Sequence, residues 1–151
     1  MIEVMIGMGI AAVLLMGFAV LVIQSAKVSR ANATELKATL YLREVIEALK
    51  DLEQSNWAAI VAAPCAAPFT CHPAAISNAW TLTAGEEALN DGTYTREFST
   101  ELVYRDAATG DIVELPGLLD PNTLKVSATI RWHNGITDRQ MILETYVYNL
   151  P

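Results

Sequence analysis

Residues 4–23 (VMIGMGIAAVLLMGFAVLVI) run for 20 positions without a charged or amide side chain. As a helix this segment rises about 30 Å, close to the hydrocarbon thickness of a bilayer. A helix apolar on every side must be covered on every side, by lipid or by other helices. Glu3 stands at its mouth and is the only charged residue among the first 26. Moving a carboxylate deep into lipid costs about 2.5 kcal/mol or more. Glu3 therefore calls for a cationic partner, met once the helix leaves the membrane and packs against copies of itself.

A cleaved secretory signal fits poorly. Such a peptide has a basic start, a shorter apolar core and a small-x-small cleavage site. Here the start is Met-Ile-Glu, the run is longer, and no A-x-A follows. A retained helix is expected. Lys27 and Arg30 flank its far end, which the positive-inside rule would place in the cytoplasm; a basic leader ahead of residue 1 would reverse that balance. The rest of the 151 residues is of ordinary soluble composition and suffices for one domain. A net charge of −7 argues against a nucleic-acid surface and against polybasic attachment to anionic lipid.

The helix is expected to continue past Ile23. Residues 24–55 contain neither Pro nor Gly, and Leu42, Val45, Ile46, Leu49 and Leu52 recur at helical spacing. Lys37, Arg43, Glu44, Glu47, Lys50, Asp51 and Glu53 occupy the other faces. Residues 1–53 then read as one helix about 80 Å long, apolar at first and amphipathic later. Its expected division is an apolar membrane or filament-core segment at 1–26 and a head at 27–151, opening with amphipathic helix 27–53. Gly7, Gly9 and Gly17 interrupt the apolar part at about 1 kcal/mol each relative to Ala. They suit close helix packing or a point of unwinding, although glycine is also simply common in membrane helices.

Residues 54–92, with Pro64, Pro68, Pro73 and many alanines, read as an irregular connection. Cys65 and Cys71 are spaced C-x5-C, most simply a disulfide closing a small loop. Residues 93–151 read as antiparallel strands. In residues 94–105 the apolar Tyr94, Phe98, Leu102 and Tyr104 alternate with polar neighbours, and the turn at 106–111 leads to Ile112, Val113 and Leu115. Leu124, Val126, Ala128, Ile130 and Trp132 define the clearest strand. Asn134-Gly135 then signals a hairpin into a strand with Met141, Leu143 and Val147 inward. A sheet with one wet face needs a cover on the other, and the amphipathic half of the helix supplies it. The expected class is α+β.

An apolar helix opening Met1-Ile2-Glu3-Val4, running through Leu52 and followed by an antiparallel sheet, resembles the bacterial type IV pilins and type II secretion pseudopilins. The resemblance is specific over residues 1–53 and architectural beyond them. Residues 126–132 and 143–146 are similar to the C-terminal strands of minor pilins and small pseudopilins. It implies a structural subunit of an extracellular filament, resident in the inner membrane before assembly, whose partners are copies of itself and other pilins. It also implies that Glu3 of one subunit pairs with the amine at the N-terminus, here Met1, of the next. In the family that glutamate is the fifth mature residue and here it is third, which leaves the mature N-terminus open. The family's proline in the outer half of the apolar helix would fall near Val20 and is not there, and the major pseudopilin's calcium loop is not recognisable. A secretion or DNA-uptake pseudopilin, and an anchored module that never polymerises, are the alternative readings.

No enzyme signature occurs. His72 and His133 are far apart in sequence, no phosphate loop or Ser-centred elbow is found, and no cofactor is implied. Adjacent Cys71 and His72 lack a second ligand pair for a metal. Asp106, Asp111 and Asp120 lack calcium-loop spacing and read as solvated turn acids. Asn32-Ala-Thr34 matches a glycosylation acceptor, which carries little on a chain of bacterial character.

Overall fold

In a computed structural model the structure describes residues 2–77, 79–133 and 137–149. Two compact units make up the chain, Met1–Lys37 and Ala38–Pro151. One helix, α1 (Ile2–Ser55), contributes to both. Between residues 2 and 37 only Thr34 is as much as half-buried, and burial begins at Ala38. The head's core therefore starts at 38 rather than at the expected 27, because no core-facing stripe exists before that residue.

In the second unit, α1 buries Ala38, Leu42, Val45, Ala48, Leu49 and Leu52. These recur every three or four residues, so they share one face. Ala38 and Ala48 complete a stripe whose larger members are apparent from spacing alone. Asn56 ends the helix and caps the next, α2 (Trp57–Ala62), by accepting a hydrogen bond from Ala59 N at 3.2 Å.

Opposite that face lies a seven-stranded antiparallel sheet: β1 (Cys71–Ile76), β2 (Ala79–Ala84), β3 (Glu87–Leu89), β4 (Tyr94–Arg105), β5 (Ile112–Val113), β6 (Leu118–His133) and β7 (Asp138–Tyr148). The order is β2-β1-β4-β6-β7, with β3 and β5 both pairing β4. Tyr94, Phe98, Val126, Ala128, Ile130, Trp132 and Val147 meet the helix stripe in one core, so the architecture is α+β, a helix on a sheet.

Residues 54–92 are not the irregular connection expected. They hold α2 and three strands. Pro73 sits inside β1, but β1 pairs β4 only at Cys71, so the missing N–H falls where one side of the strand carries no ladder. A second difference lies in β4. The partner of β4 jumps from Leu124 at Leu102 to Asp120 at Val103, leaving residues 121–123 of β6 as a bulge, and the alternation of buried and exposed positions along β4 changes phase there. Val103 is therefore buried, whereas Leu102, expected inward with Tyr104, is exposed. The Asn134-Gly135 hairpin turn lies outside the described residues; the strands on either side of it pair from His133↔Asp138 to Thr123↔Tyr148 without a break. Of the three inward residues expected in β7, Val147 is buried, Met141 half-buried and Leu143 exposed.

Candidate assembly surface

The first unit is a helix with every apolar side chain at its surface. From Ile2 to Ile23 the large hydrophobic residues keep between 51% and 74% of their surface, which no monomeric soluble protein carries over such a length. By length and composition this helix is able to cross a membrane. Glu3 lies in its first turn, where a carboxylate also favours the positive end of the helix dipole. Among the described residues Glu3 has no ion-pair or hydrogen-bond partner; Met1, expected to supply that partner in a neighbouring copy, lies outside them. Outside the helix's own backbone, no atom lies within 4 Å of the position a Cβ would occupy at Gly7, Gly9 or Gly17. Among the described residues, no close contact requires these glycines.

In the head, the Cys, His and Asp side chains that the sequence singles out are placed as follows. Cys65 and Cys71 are bonded to each other, with Cα atoms 5.2 Å apart, and both are fully buried, so neither offers a thiol beside His72. His72 Nδ1 instead lies 3.0 Å from Gly85 O, and His133 Nδ1 lies 2.9 Å from Asp138 Oδ1. Two of the three turn acids, Asp106 and Asp120, are committed to structure. Asp106 accepts the amides of Ala108 and Thr109, and those two bonds hold its carboxyl below the usual range. Asp120 accepts from Thr123 Oγ1 and Arg105 Nε, each at 2.6 Å, and these partners likewise depress its pKa. Among the described residues no three His, Cys, Asp or Glu side chains group as metal ligands do.

One charged group escaped sequence reasoning. Arg96 points into the core from β4 with 3% of its side chain exposed. Its Nε donates to Glu87 Oε2 at 2.6 Å, Nη1 lies 2.9 Å from Glu44 Oε2, and Nη1 also donates to Tyr41 O at 3.4 Å. The guanidinium thus ties α1 to β3 and β4, beside the edge-to-face pair Tyr41–Tyr94. The sequence signal was its place: position 96 falls among the inward, even-numbered residues of β4.

β7 is the sheet's last strand, and beside it α1 leaves an apolar cleft of about 240 Å³ lined by Thr39, Leu42, Arg43, Ile46, Met141, Ile142 and Leu143. No protein-family model, curated protein or solved structure matches this chain.

Proposed function

We propose that this chain is a structural subunit of a type IV pilus-like extracellular filament, held in the inner membrane by its apolar helix until assembly. The observation that carries the reading is the pairing of two things on α1: an apolar surface over residues 4–23 left uncovered and, at its entrance, a carboxylate without a partner among the described residues. Lipid can cover the surface and leaves the carboxylate at the headgroups. Packed helices of neighbouring subunits cover the surface equally well, and they bring an N-terminal amine to Glu3. A charge pair in such a dry core sets the register of one subunit on the next, since losing one partner costs about 3–5 kcal/mol. The head, with its own core and disulfide, is then displayed outside.

The test is Glu3→Ala in producing cells, read as sheared filament yield beside membrane-fraction abundance. The expected outcome is unchanged membrane insertion, because the helix only becomes more apolar, together with loss of filaments. Normal filaments from this variant would contradict the pairing, whereas absence of filaments from the unaltered chain as well would favour an anchored module that does not polymerise.

A further inference from the structure

β7 pairs β6 on one side, and no described strand lies on its other. Two hydrogen bonds establish which of its groups face that open side. Asn149 N donates to Asn122 O on the β6 side (2.8 Å), whereas Tyr148 N turns away from β6 and donates to Glu53 Oε1 (2.9 Å). In an antiparallel ladder this direction alternates. Gln140, Ile142, Glu144 and Tyr146 therefore aim both N–H and C=O outward. Edge strands are ordinarily blunted by charged side chains, proline, a bulge or a covering element. Residues 140–146 contain no proline and a single charge, Glu144, which is paired with Lys125 of β6; their register with β6 has no slip, and the cap from Glu53 falls at Tyr148.

We propose that this edge pairs with the β7 edge of a second copy of the chain, antiparallel and two-fold symmetric about Ile142. The side chains select both that partner and that register. Centred on Ile142, the pairing sets Ile142 on its own copy, Met141 on Leu143, Gln140 on Glu144, and Arg139 on Thr145. The three central rungs are then apolar, and no like charges oppose each other. Met141 and Leu143 also line the apolar cleft beside Leu42 and Ile46, so the partner's Leu143 and Met141 extend its cover. Centring on Glu144 would place two carboxylates face to face. Centring on Leu143 would set Glu144 against Ile142 and Arg139 against Val147.

The geometry further defines which copies meet. Along β7, α1 runs in the strand's own direction, from Thr39 beside Met141 to Glu53 beside Tyr148. A two-fold axis reverses it, so the helix segments 38–55 of the two copies run antiparallel. The contact thus joins oppositely directed molecules and closes on itself. On the filament reading, which the pairing does not need, these are subunits of filaments lying side by side in opposite directions.

The chain's two cysteines are bonded to each other, so a new cysteine is the sole free thiol. Opposed residues in a hydrogen-bonded rung have Cα atoms about 5.5 Å apart, within disulfide reach. In the full chain in detergent micelles, oxidised Ile142→Cys is expected to shift to a reductant-sensitive dimer, while Thr129→Cys, its neighbour on β6 away from the edge, does not. Mixed Gln140→Cys and Glu144→Cys chains are expected to cross-link with each other and neither with itself. Ile142→Pro removes an outward donor and no β6 bond; it should abolish the dimer seen by light scattering while the tryptophan fluorescence of the head stays native. Cross-linking no greater at 142 than at 129, self-linking by either surface cysteine, or a dimer that survives the proline would each overturn the proposal. Glu3→Ala leaves all of these results in place, so failure of the pairing and failure of the filament reading are told apart.

Discussion

Arg96 offers a test in which removing the charge and removing its partners should have unequal costs. Its guanidinium is nearly dry, but the carboxylates it binds are not: the side chains of Glu44 and Glu87 keep 41% and 29% of their surface. Arg96→Met retains the stem's packing and leaves two carboxylates that water can reach, so the loss should be about 1–2 kcal/mol, near that of hydrogen bonds to charged groups. Glu44→Gln with Glu87→Gln instead leaves the buried cation without a counter-charge, for about 3–5 kcal/mol. Either glutamine alone leaves one carboxylate in place, so the single losses should sum to less than the double loss. The assay is urea titration in mild detergent, followed by fluorescence. All three tryptophans, Trp57, Trp80 and Trp132, lie in Ala38–Pro151, so the signal reports the head alone. A larger loss from Arg96→Met than from the double glutamine variant would refute the assignment of the cost to burial of the cation.

Two further outcomes follow from the head. Cys65→Ala with Cys71→Ala opens a loop of sequence separation 6 and should cost about 2 kcal/mol by chain entropy, while serine at both positions should cost more by burying two hydroxyls; paired urea titrations check the order. Asp120 has a folded pKa depressed by Thr123 and Arg105, so its contribution is present above the unfolded carboxylate pKa and is lost as pH falls through the lower folded value. Asp120→Asn should therefore lower Tm at neutral pH and flatten the acid limb of a Tm-against-pH series, and an unchanged acid limb would disprove that linkage.

What the sequence disclosed tracks how many residues repeat each signal. α1 has a long apolar run followed by a stripe, and β6 has five inward residues in strict alternation, so both could be read directly. β1 and β2 have six residues each, and a proline interrupts the first; Trp80 and Leu82 alternate in β2, but amid alanines and threonines that pattern is faint. The change of face at Leu102 and Val103 has no signature in β4 itself; its sign lies opposite, in residues 121–123 of β6, where Pro121 marks the bulge. Arg96 was hidden for the opposite reason. Its position in the alternation was visible, but its two carboxylate partners come from residues 44 and 87, which only the fold brings together. The expected disulfide of Cys65 and Cys71 is present, since so short a spacing leaves little freedom in the choice of partner.

Glu3 sets a constraint that membrane residence alone does not meet. A helix that only anchors a head gains from a carboxylate at the start of its apolar run no more than the modest dipole interaction, and alanine would insert with less cost. The same carboxylate is useful where apolar helices must stop sliding along one another. Apolar helices packed together gain dispersion energy at many registers, whereas a buried ion pair is satisfied at one and leaves two uncompensated charges at every other. On the filament reading we propose, the uncovered surface of residues 4–23 would supply the attraction between subunits and Glu3 would set the rise from one to the next. The glycines fit the same reading: among the described residues no contact needs Gly7, Gly9 or Gly17, and small residues let helix backbones approach closely.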